Sequence, residues 1–265
     1  MIPEMLALTF PENWPPTLTL ASLPGVSVTL SDGDAETLGS QSALFREIYG
    51  DTRQIGFSPG FEKAIAKALE EFPEGVVPRI GMCSWKASTV VHAPCRSVAD
   101  VMRVITANDP RVAQAIFDHR ISKRRVVLHL RAWRDIPDWA EFRLFVKRRR
   151  LVGVSQYAWQ QTFPQIATQH AAIVTAVNAL LRDIWDDLHM DDVVIDVCVL
   201  PEGDALKAWL IELNPFDRRS DACLYRWENG GDFDGGFRYN RYQDAAAFHG
   251  TPHNGSASGS YSGSA

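Results

Sequence analysis

The sequence has few features of an exported, membrane-embedded or disordered protein. Its 265 residues include only 4 cysteines, and no two of these form a CxxC pair, so a disulfide framework or a zinc ribbon is not indicated. The longest apolar stretch, residues 171–181, is interrupted by Thr175 and Asn178 and is too short to cross a bilayer. The formal net charge of −5 argues against nucleic-acid binding through bulk charge. With 46% hydrophobic residues, the composition is typical of a globular protein that binds neither membrane nor nucleic acid.

The N-terminus also lacks the pattern of a signal peptide. Residues 1–4 (MIPE) contain no basic n-region and carry an early proline and an acid. Scattered reduced thiols fit a reducing compartment. We therefore expect a cytoplasmic protein.

Hydrophobic periodicity predicts an α+β fold. Helices are indicated from Ser58-Pro59 to Pro73, from Ser97 onward, and from about Asp109 to His119. Later segments are typical of two β-hairpins with a long helix between them, at residues 125–133, 141–147, 151–156, 165–188 (the helix), 193–200 and 208–213. This order indicates an antiparallel sheet with helices on one face.

The two ends of the chain carry weaker signals. Near the N-terminus, residues 18–20 and 26–30 are interpreted as short edge strands or loops. The residues after about 251 are rich in glycine and serine and are expected to form a flexible tail.

The second hairpin brings three oxygen-bearing side chains together in the prediction. Side chains alternate along a strand, so Glu212 and Asn214 share one face, and Asp196 lies close to them if the hairpin is in register. Two carboxylates and an amide oxygen are hard ligands suited to Mg²⁺. Alternatively, Glu212 and Asn214 simply end a strand on its solvated side. Asp196 lies in an apolar run and needs a cation or metal as partner.

Cations occur at two places that could face a phosphate. Arg143 projects from a strand whose other face is apolar, and its forked donors suit a phosphate or a carboxylate, although a pair with Glu141 on the same face is an equal alternative. Arg79 and Lys86 lie on either side of a segment containing glycine and serine, and could hold successive phosphates of a nucleotide or be exposed without a ligand.

Several strings in the chain resemble the cell division cycle protein 123 family in the same order. The similar segments are residues 141–146 (EFRLFV), 151–156 (LVGVSQ), 195–197 (IDV), 209–216 (WLIELNPF) and 220–227 (SDACLYRW). The resemblance covers about residues 78–228. It implies an ATP-grasp-like fold, in which two lobes with antiparallel sheets clasp a nucleotide cleft, with ATP and Mg²⁺ as ligands.

The resemblance also implies a role for individual residues. Arg79 and Lys86 would bind phosphates, and Arg143 would contact them as the catalytic cation. A hinge would offer backbone groups to adenine, at His129, Leu130, Arg131 and Trp133. The metal would be held by Asp196, Glu212 and Asn214. Arg79 and Glu212 replace the family's usual lysine and aspartate and conserve charge.

Three regions are predicted from these patterns. Residues 1–130 form an N-terminal lobe with phosphate-binding cations, residues 131–248 a C-terminal lobe with the metal site, and residues 249–265 the tail. The fold's typical chemistry predicts an ATP-dependent carboxylate–amine ligase acting on a small molecule, peptide or protein. The alternative is a non-catalytic, ATP-binding assembly chaperone for a partner like the gamma subunit of translation initiation factor two, as implied by the eukaryotic relatives.

Overall fold

The computed structural model describes residues 4–50, 56–81, 83, 85 and 93–241. The helices are α1 (Glu4–Ala7), α2 (Pro16–Ala21), α3 (Asp32–Gly39), α4 (Ala43–Tyr49), α5 (Pro59–Glu71), α6 (Val98–Ile105), α7 (Pro110–Ile121), α8 (Pro164–Thr168) and α9 (His170–Ile184). The strands are β1 (Gly25–Thr29), β2 (Val76–Ile80), β3 (Val127–Ala132), β4 (Glu141–Lys147), β5 (Arg150–Gln156), β6 (Val193–Glu202), β7 (Ala205–Pro215) and β8 (Phe237–Arg238). Lys86 and the predicted tail lie outside the described residues.

Side-chain caps start the three predicted helices close to their expected positions. Ser58 accepts a hydrogen bond from the Phe61 amide at the start of α5, and Pro59 follows it in the first turn. Ser97 and Asp100 form a reciprocal capping box at α6. The Asp109 side chain caps α7 by accepting a hydrogen bond from the Arg111 amide. Each cap satisfies amides that would otherwise lack a partner, so these helix starts are set locally and the predictions are confirmed.

A small antiparallel sheet in the order β1-β3-β2 forms the first lobe. One face of it packs on helices α3 to α7, where the core includes Leu128 and Leu130 of β3. The alternate residues His129 and Arg131 belong to the opposite face, because side chains alternate along a strand. That opposite face is the one turned toward the second sheet, since Arg131 reaches a carbonyl of β7.

The second lobe is a five-stranded sheet in the order β7-β6-β4-β5-β8. Its first four strands are antiparallel neighbours, and β8 adds a parallel pair. One face packs on α8 and α9 through an apolar core containing Phe142, Leu144, Ile195 and Leu213. The hairpin between β4 and β5 turns at Arg148 and Arg149, which both have positive φ, as a two-residue turn requires. The predicted hairpin–helix–hairpin order is confirmed.

Two local predictions differ from the structure. The helix expected over residues 165–188 is divided into α8 and α9, because Gln169 leaves helical geometry (φ −106°, ψ 11°). Residues 18–20 lie in helix α2, which proline starts and which buries Leu18 against the second lobe, whereas residues 26–29 form the edge strand β1 as expected. Within the described residues, no helix combines the length and the apolar character needed to cross a membrane.

The N-terminal segment joins both lobes. Trp14 and Leu18 are buried in the core of the second lobe, whereas Glu12 bonds to residues of the first. The segment therefore does not belong to the first lobe alone, and the boundary predicted at residue 130 falls inside β3.

Glu12 anchors this segment through two histidines. The Nε2 of His129 donates to the Glu12 carboxylate at 2.8 Å, while its Nδ1 and the Ser27 hydroxyl form a hydrogen bond of 2.9 Å. The Nε2 of His119 lies 3.4 Å from the other carboxylate oxygen. Burial by itself would raise the pKa of Glu12, but the two histidine bonds outweigh it and lower the pKa to about 2. The folded state therefore favours the charged carboxylate.

The variant Glu12→Gln tests this anchor. A depressed carboxyl pKa stabilises the fold above the group's ordinary value of 4.5, and this stabilisation is lost as the pH falls toward about 2. At pH 7 we expect the variant to lose free energy of unfolding on the order of 3 kcal/mol in urea titrations. The difference from wild type should shrink between pH 4.5 and 2.

A matched control is Glu36→Gln, whose carboxylate lies 4.0 Å from Arg120 in a more exposed pair. Exposed pairs contribute about 0–1 kcal/mol, so this variant should change little. A loss for Glu12→Gln that is independent of pH would contradict a role for the carboxylate's charge.

Candidate functional site

A row of charged side chains crosses three adjacent strands of the large sheet. Arg143 of β4 lies directly opposite Asp196 of β6, which lies directly opposite Glu212 of β7. The Nε and Nη2 atoms of Arg143 donate to the two oxygens of Asp196, each at 2.7 Å. The row lies on the face away from α9, because the flanking Phe142, Leu144 and Ile195 occupy the opposite core.

A β-bulge in β7 sets the position of Glu212. The register shifts between Asp196 and Val197, where Leu210 faces Val197 and Ile211 becomes the extra residue. Leu210 and Leu213 point into the core shared with α9, whereas Ile211 packs in a separate cluster with Leu23 and Cys198. The bulge therefore places Ile211 and Glu212, which are consecutive, on the face toward the first lobe.

The three predicted metal ligands lie together. The Nδ2 of Asn214 is 3.1 Å from Asp196 Oδ2 and 3.2 Å from Glu212 Oε1. A flip of the amide exchanges its nitrogen for its oxygen, so the same side chain presents a third oxygen once a cation lies between the carboxylates. The donor set of two carboxylates and an amide fits Mg²⁺, which binds one or two carboxylates and keeps water or phosphate as its other ligands. Among the described residues, no group of three or more His, Cys, Asp or Glu side chains is placed to hold a metal.

Burial has the largest effect on the pKa values of Asp196 and Arg143, the pair at the centre of the row. Asp196 is fully buried, and this desolvation, with a contribution from Glu212, raises its pKa against the lowering effect of Arg143. Burial alone would lower the pKa of Arg143, but Asp196 raises it well above its ordinary value. The arginine therefore keeps its charge, and the pair is an ion pair whose carboxylate accepts further positive charge favourably.

Two arginines from the small sheet complete the cluster. Arg79 of β2 donates from Nη2 to Glu212 Oε2, and Arg131 of β3 donates from Nη1 to the Ile211 carbonyl at 2.6 Å. Both side chains are buried, and the Nε of Arg79 has no hydrogen-bond partner within the described part of the chain. Burial, with Arg79 as a like charge, lowers the pKa of Arg131 to about 9, so Arg131 stays cationic at neutral pH.

A cavity lies between the lobes beside these arginines. Its volume is about 180 Å³, and its wall includes Leu23, Val77, Arg79, Arg131, Ala132, Trp133, Arg134, Ile136, Glu141 and Ile211. Typical ligand pockets measure about 300–1,000 Å³, so this cavity is smaller than such a pocket and has room for only part of a ligand of that size. Apolar side chains and two buried guanidinium groups line the same space, which matches the two chemical halves of a nucleotide.

A second cavity of about 330 Å³ lies on the other side of the cluster. Its lining includes Asn214, Arg111, Arg219 and Cys83. Because Arg79 lines the first cavity, Asn214 lines the second, and both bond to Glu212, the Arg79–Glu212 pair lies between the two cavities.

The four residues predicted to contact adenine do not share one environment in the structure. His129, Leu130 and Arg131 lie inside β3, which is paired on both sides, and the connection between the lobes begins only at Trp133. The connection between the lobes therefore begins after the first three of these residues, and their contact with adenine stays a prediction. His129 bonds to Glu12, Leu130 is buried in the first core, and Arg131 and Trp133 line the 180 Å³ cavity.

The side chain of Arg143 is held by partners within the protein, whereas the family resemblance predicts that it contacts phosphates. All three of its side-chain nitrogens donate within the protein, Nη1 to the Asp221 carbonyl at 2.9 Å and the other two to Asp196. The ring of Tyr157 lies 4.9 Å from the guanidinium carbon. The carboxylate partner of Arg143 is thus Asp196 rather than Glu141. Its contact with a phosphate stays a prediction.

Sequence reasoning missed the residues that the bulge and the loops bring in. The Ile211 carbonyl and the Asp221 carbonyl each hold an arginine, and Arg111 lies near enough to Glu212 for their charges to interact. Backbone carbonyls have no signature in the sequence. An alternation of buried and exposed side chains along β7, as assumed from the sequence, does not reveal that Ile211 is an extra residue.

Comparison with known proteins shows which proteins this chain resembles. A sequence model of the D123 family matches residues 33–234. The "Translation initiation factor eIF2 assembly protein" of Xenopus tropicalis is 34% identical over 184 residues, covering 64% of this chain and 53% of that protein. The protein of the same description from Sclerotinia sclerotiorum is 26% identical over 213 residues, covering 74% and 48%. The chain thus spans about half the length of these curated relatives.

The fold matches solved structures as well. Cdc123 from Schizosaccharomyces pombe aligns with a TM-score of 0.66 at 21% identity, covering 86% of this chain and 91% of that chain. A C-terminally truncated form of it aligns with a TM-score of 0.69 at 19% identity, with the same coverage. At this identity the likeness shows the fold, and the predicted α+β class is confirmed. Since the family match extends over most of the chain and includes every strand of the site, the chain is a member of the D123 family.

Proposed function

We propose that this protein binds ATP with Mg²⁺ in the cleft between its lobes and acts as a non-catalytic assembly factor for a translation initiation factor in the cytoplasm. The observation that carries the proposal is the meeting of three oxygen donors, Asp196, Glu212 and Asn214, with the buried cations Arg79 and Arg131 beside a cavity. A buried cluster of this kind is suited to a polyanion that brings its own cation.

Each part of the nucleotide has a matching surface in this arrangement. The base fits the apolar wall near Trp133 and Ile136, and the phosphates extend past Arg79 toward the carboxylates. Asp196, Glu212 and Asn214 would hold Mg²⁺, which supplies charge neutralisation to the phosphates when bound. Lys86 is proposed as a second phosphate ligand on the family resemblance alone.

Arg143 supports this site without touching the nucleotide. It fixes Asp196 by two hydrogen bonds and is itself held by the Asp221 carbonyl, so the carboxylate cannot change rotamer without breaking both bonds to Arg143. A carboxylate fixed in this way is preorganised for a cation.

The assembly role is favoured over the ligase that the fold's typical chemistry predicts. The relatives that cover much of this chain carry the description of eIF2 assembly proteins, and none of the comparisons reported above names a ligase. We therefore propose a partner like the gamma subunit of that factor, with ATP as a ligand that stabilises the binding-competent form.

Nucleotide binding predicts a thermal shift. A ligand at about 100 times its Kd stabilises a fold by about 2.7 kcal/mol, which raises the melting temperature of a domain of this size by about 5–10 °C. We expect Mg·ATP to produce such a shift, and Asn214→Leu to lose the part that depends on Mg²⁺. The control Lys207→Gln, at an exposed pair with Glu202, should behave as wild type. An identical Mg²⁺ dependence in Asn214→Leu would contradict the metal assignment.

The assembly role predicts a complex without turnover. Purified protein should capture a recombinant gamma subunit in pull-downs more strongly with ATP than without it, while chromatography of the nucleotide shows ATP intact. Asn214→Leu should weaken the ATP-dependent part of capture. Stoichiometric release of ADP and phosphate with a new amide product would instead establish the ligase.

The ion pair of Arg143 and Asp196 predicts strong coupling in stability. Removing either partner leaves a buried charge uncompensated, so Asp196→Ala and Arg143→Ala should each lose about 3–5 kcal/mol in urea unfolding. The double variant should lose clearly less than the sum. The exposed pair Asp217–Arg219, with a bond of 2.6 Å, is the control and should contribute about 0–1 kcal/mol. Additive losses at Arg143 and Asp196 would show that the two side chains act independently.

A further inference from the structure

The Arg79–Glu212 pair joins the phosphate-binding side of the proposed site to its metal-binding side. Glu212 is one of three metal donors, and Arg79 is the innermost cation on the opposite wall, yet the two are bonded to each other. A guanidinium on Glu212 opposes a divalent cation both by repulsion and by occupying an oxygen lone pair.

The hydrogen bonding of Arg79 is incomplete in this arrangement. Its side chain is only 4% exposed, and its Nε is buried without a hydrogen-bond partner in the described residues. A buried N–H without a partner loses its hydration and gains no hydrogen bond in return, so this conformation is held at a cost that an acceptor would remove. A phosphate oxygen is such an acceptor, and guanidinium groups bind phosphate through two parallel N–H donors.

The two flanking cavities give the pair room to separate. The 180 Å³ cavity is lined by Arg79 and the 330 Å³ cavity by Asn214, with Glu212 between them. If Arg79 turns to phosphates entering from the first cavity, Glu212 keeps Asn214 and Asp196 as neighbours. In that arrangement the Arg79 guanidinium no longer bonds to Glu212.

We infer that the Arg79–Glu212 ion pair is a latch that excludes a divalent cation from the metal donors until the phosphates of a nucleotide take Arg79. This inference rests on the proposed nucleotide binding and adds an order to it: metal and nucleotide bind as one complex, and neither binds well alone. Such coupling is reciprocal, because each ligand changes the affinity of the other by the same factor.

The test measures binding of Mn²⁺ alone, by electron paramagnetic resonance, to wild type and to Arg79→Gln. The latch predicts weak binding to wild type and a gain of about 5–150-fold in the variant, the usual range of coupling between two sites. The matched control is Arg111→Gln, which removes an equal charge that interacts with Glu212 but does not bond to it. A gain in Arg111→Gln as large as that in Arg79→Gln would show a general field effect and overturn the latch.

A second variant tests the other half of the pair by a different readout. Glu212→Gln weakens the hold on Arg79, so ATP without metal, in the presence of a chelator, should bind more tightly to this variant than to wild type in calorimetry. Glu141→Gln removes a carboxylate from the same cavity wall and is the control. If both variants gain equally, the latch is wrong.

The outcomes separate this inference from the proposed function. Binding of Mg·ATP to wild type together with unchanged Mn²⁺ affinity in Arg79→Gln overturns the latch and leaves nucleotide binding intact. Failure of wild type to bind any nucleotide overturns the proposed function itself, and the latch with it. Weak Mn²⁺ binding to wild type, with selective gains in Arg79→Gln and Glu212→Gln, supports both.

Discussion

The constraint on which this structure depends is the desolvation of one carboxylate. Asp196 is completely buried in the middle strand of the large sheet, where an unpaired charge would cost several kcal/mol. The sheet offsets this cost with the guanidinium of Arg143 on one neighbouring strand and with the amide of Asn214 on the other. Because the donors come from adjacent strands, their separation is set by the backbone spacing of a sheet and not by flexible loops. The most rigid element of the fold therefore holds the most polar cluster.

The same cluster joins the two lobes. Arg79 and Arg131 extend from the small sheet to Glu212 and to the Ile211 carbonyl of the large one, while the N-terminal segment adds Trp14 to one lobe and Glu12 to the other. Contacts between lobes and contacts within the site are largely the same contacts. A ligand that rearranges the arginines must consequently alter how the lobes are held together.

Sequence patterns predicted the parts that depend on local rules. Capped helix starts at Ser58, Ser97 and Asp109, the hairpins, and the shared face of Glu212 and Asn214 all follow from propensity and alternation, and the structure contains them. Parts that depend on tertiary contact were not predictable. The sequence left the partner of Arg143 open between Glu141 and a phosphate or another carboxylate, and the structure pairs it with Asp196. The helical state of residues 18–20 depends on the packing of Leu18 on the second lobe. The roles assigned to Arg79, Lys86 and the metal donors rest on the family resemblance and remain proposals.

The bulge at Ile211 has a consequence for how the chain can vary in length. Leu210 and Leu213 face the core, and Glu212 and Asn214 face the cleft, so the alternation would remain regular if the extra residue were absent. What the extra residue contributes is its carbonyl, which Arg131 binds, and its side chain, which packs with Leu23 and Cys198. Deletion of this single residue therefore alters the contact between the lobes without inverting the orientation of either carboxylate.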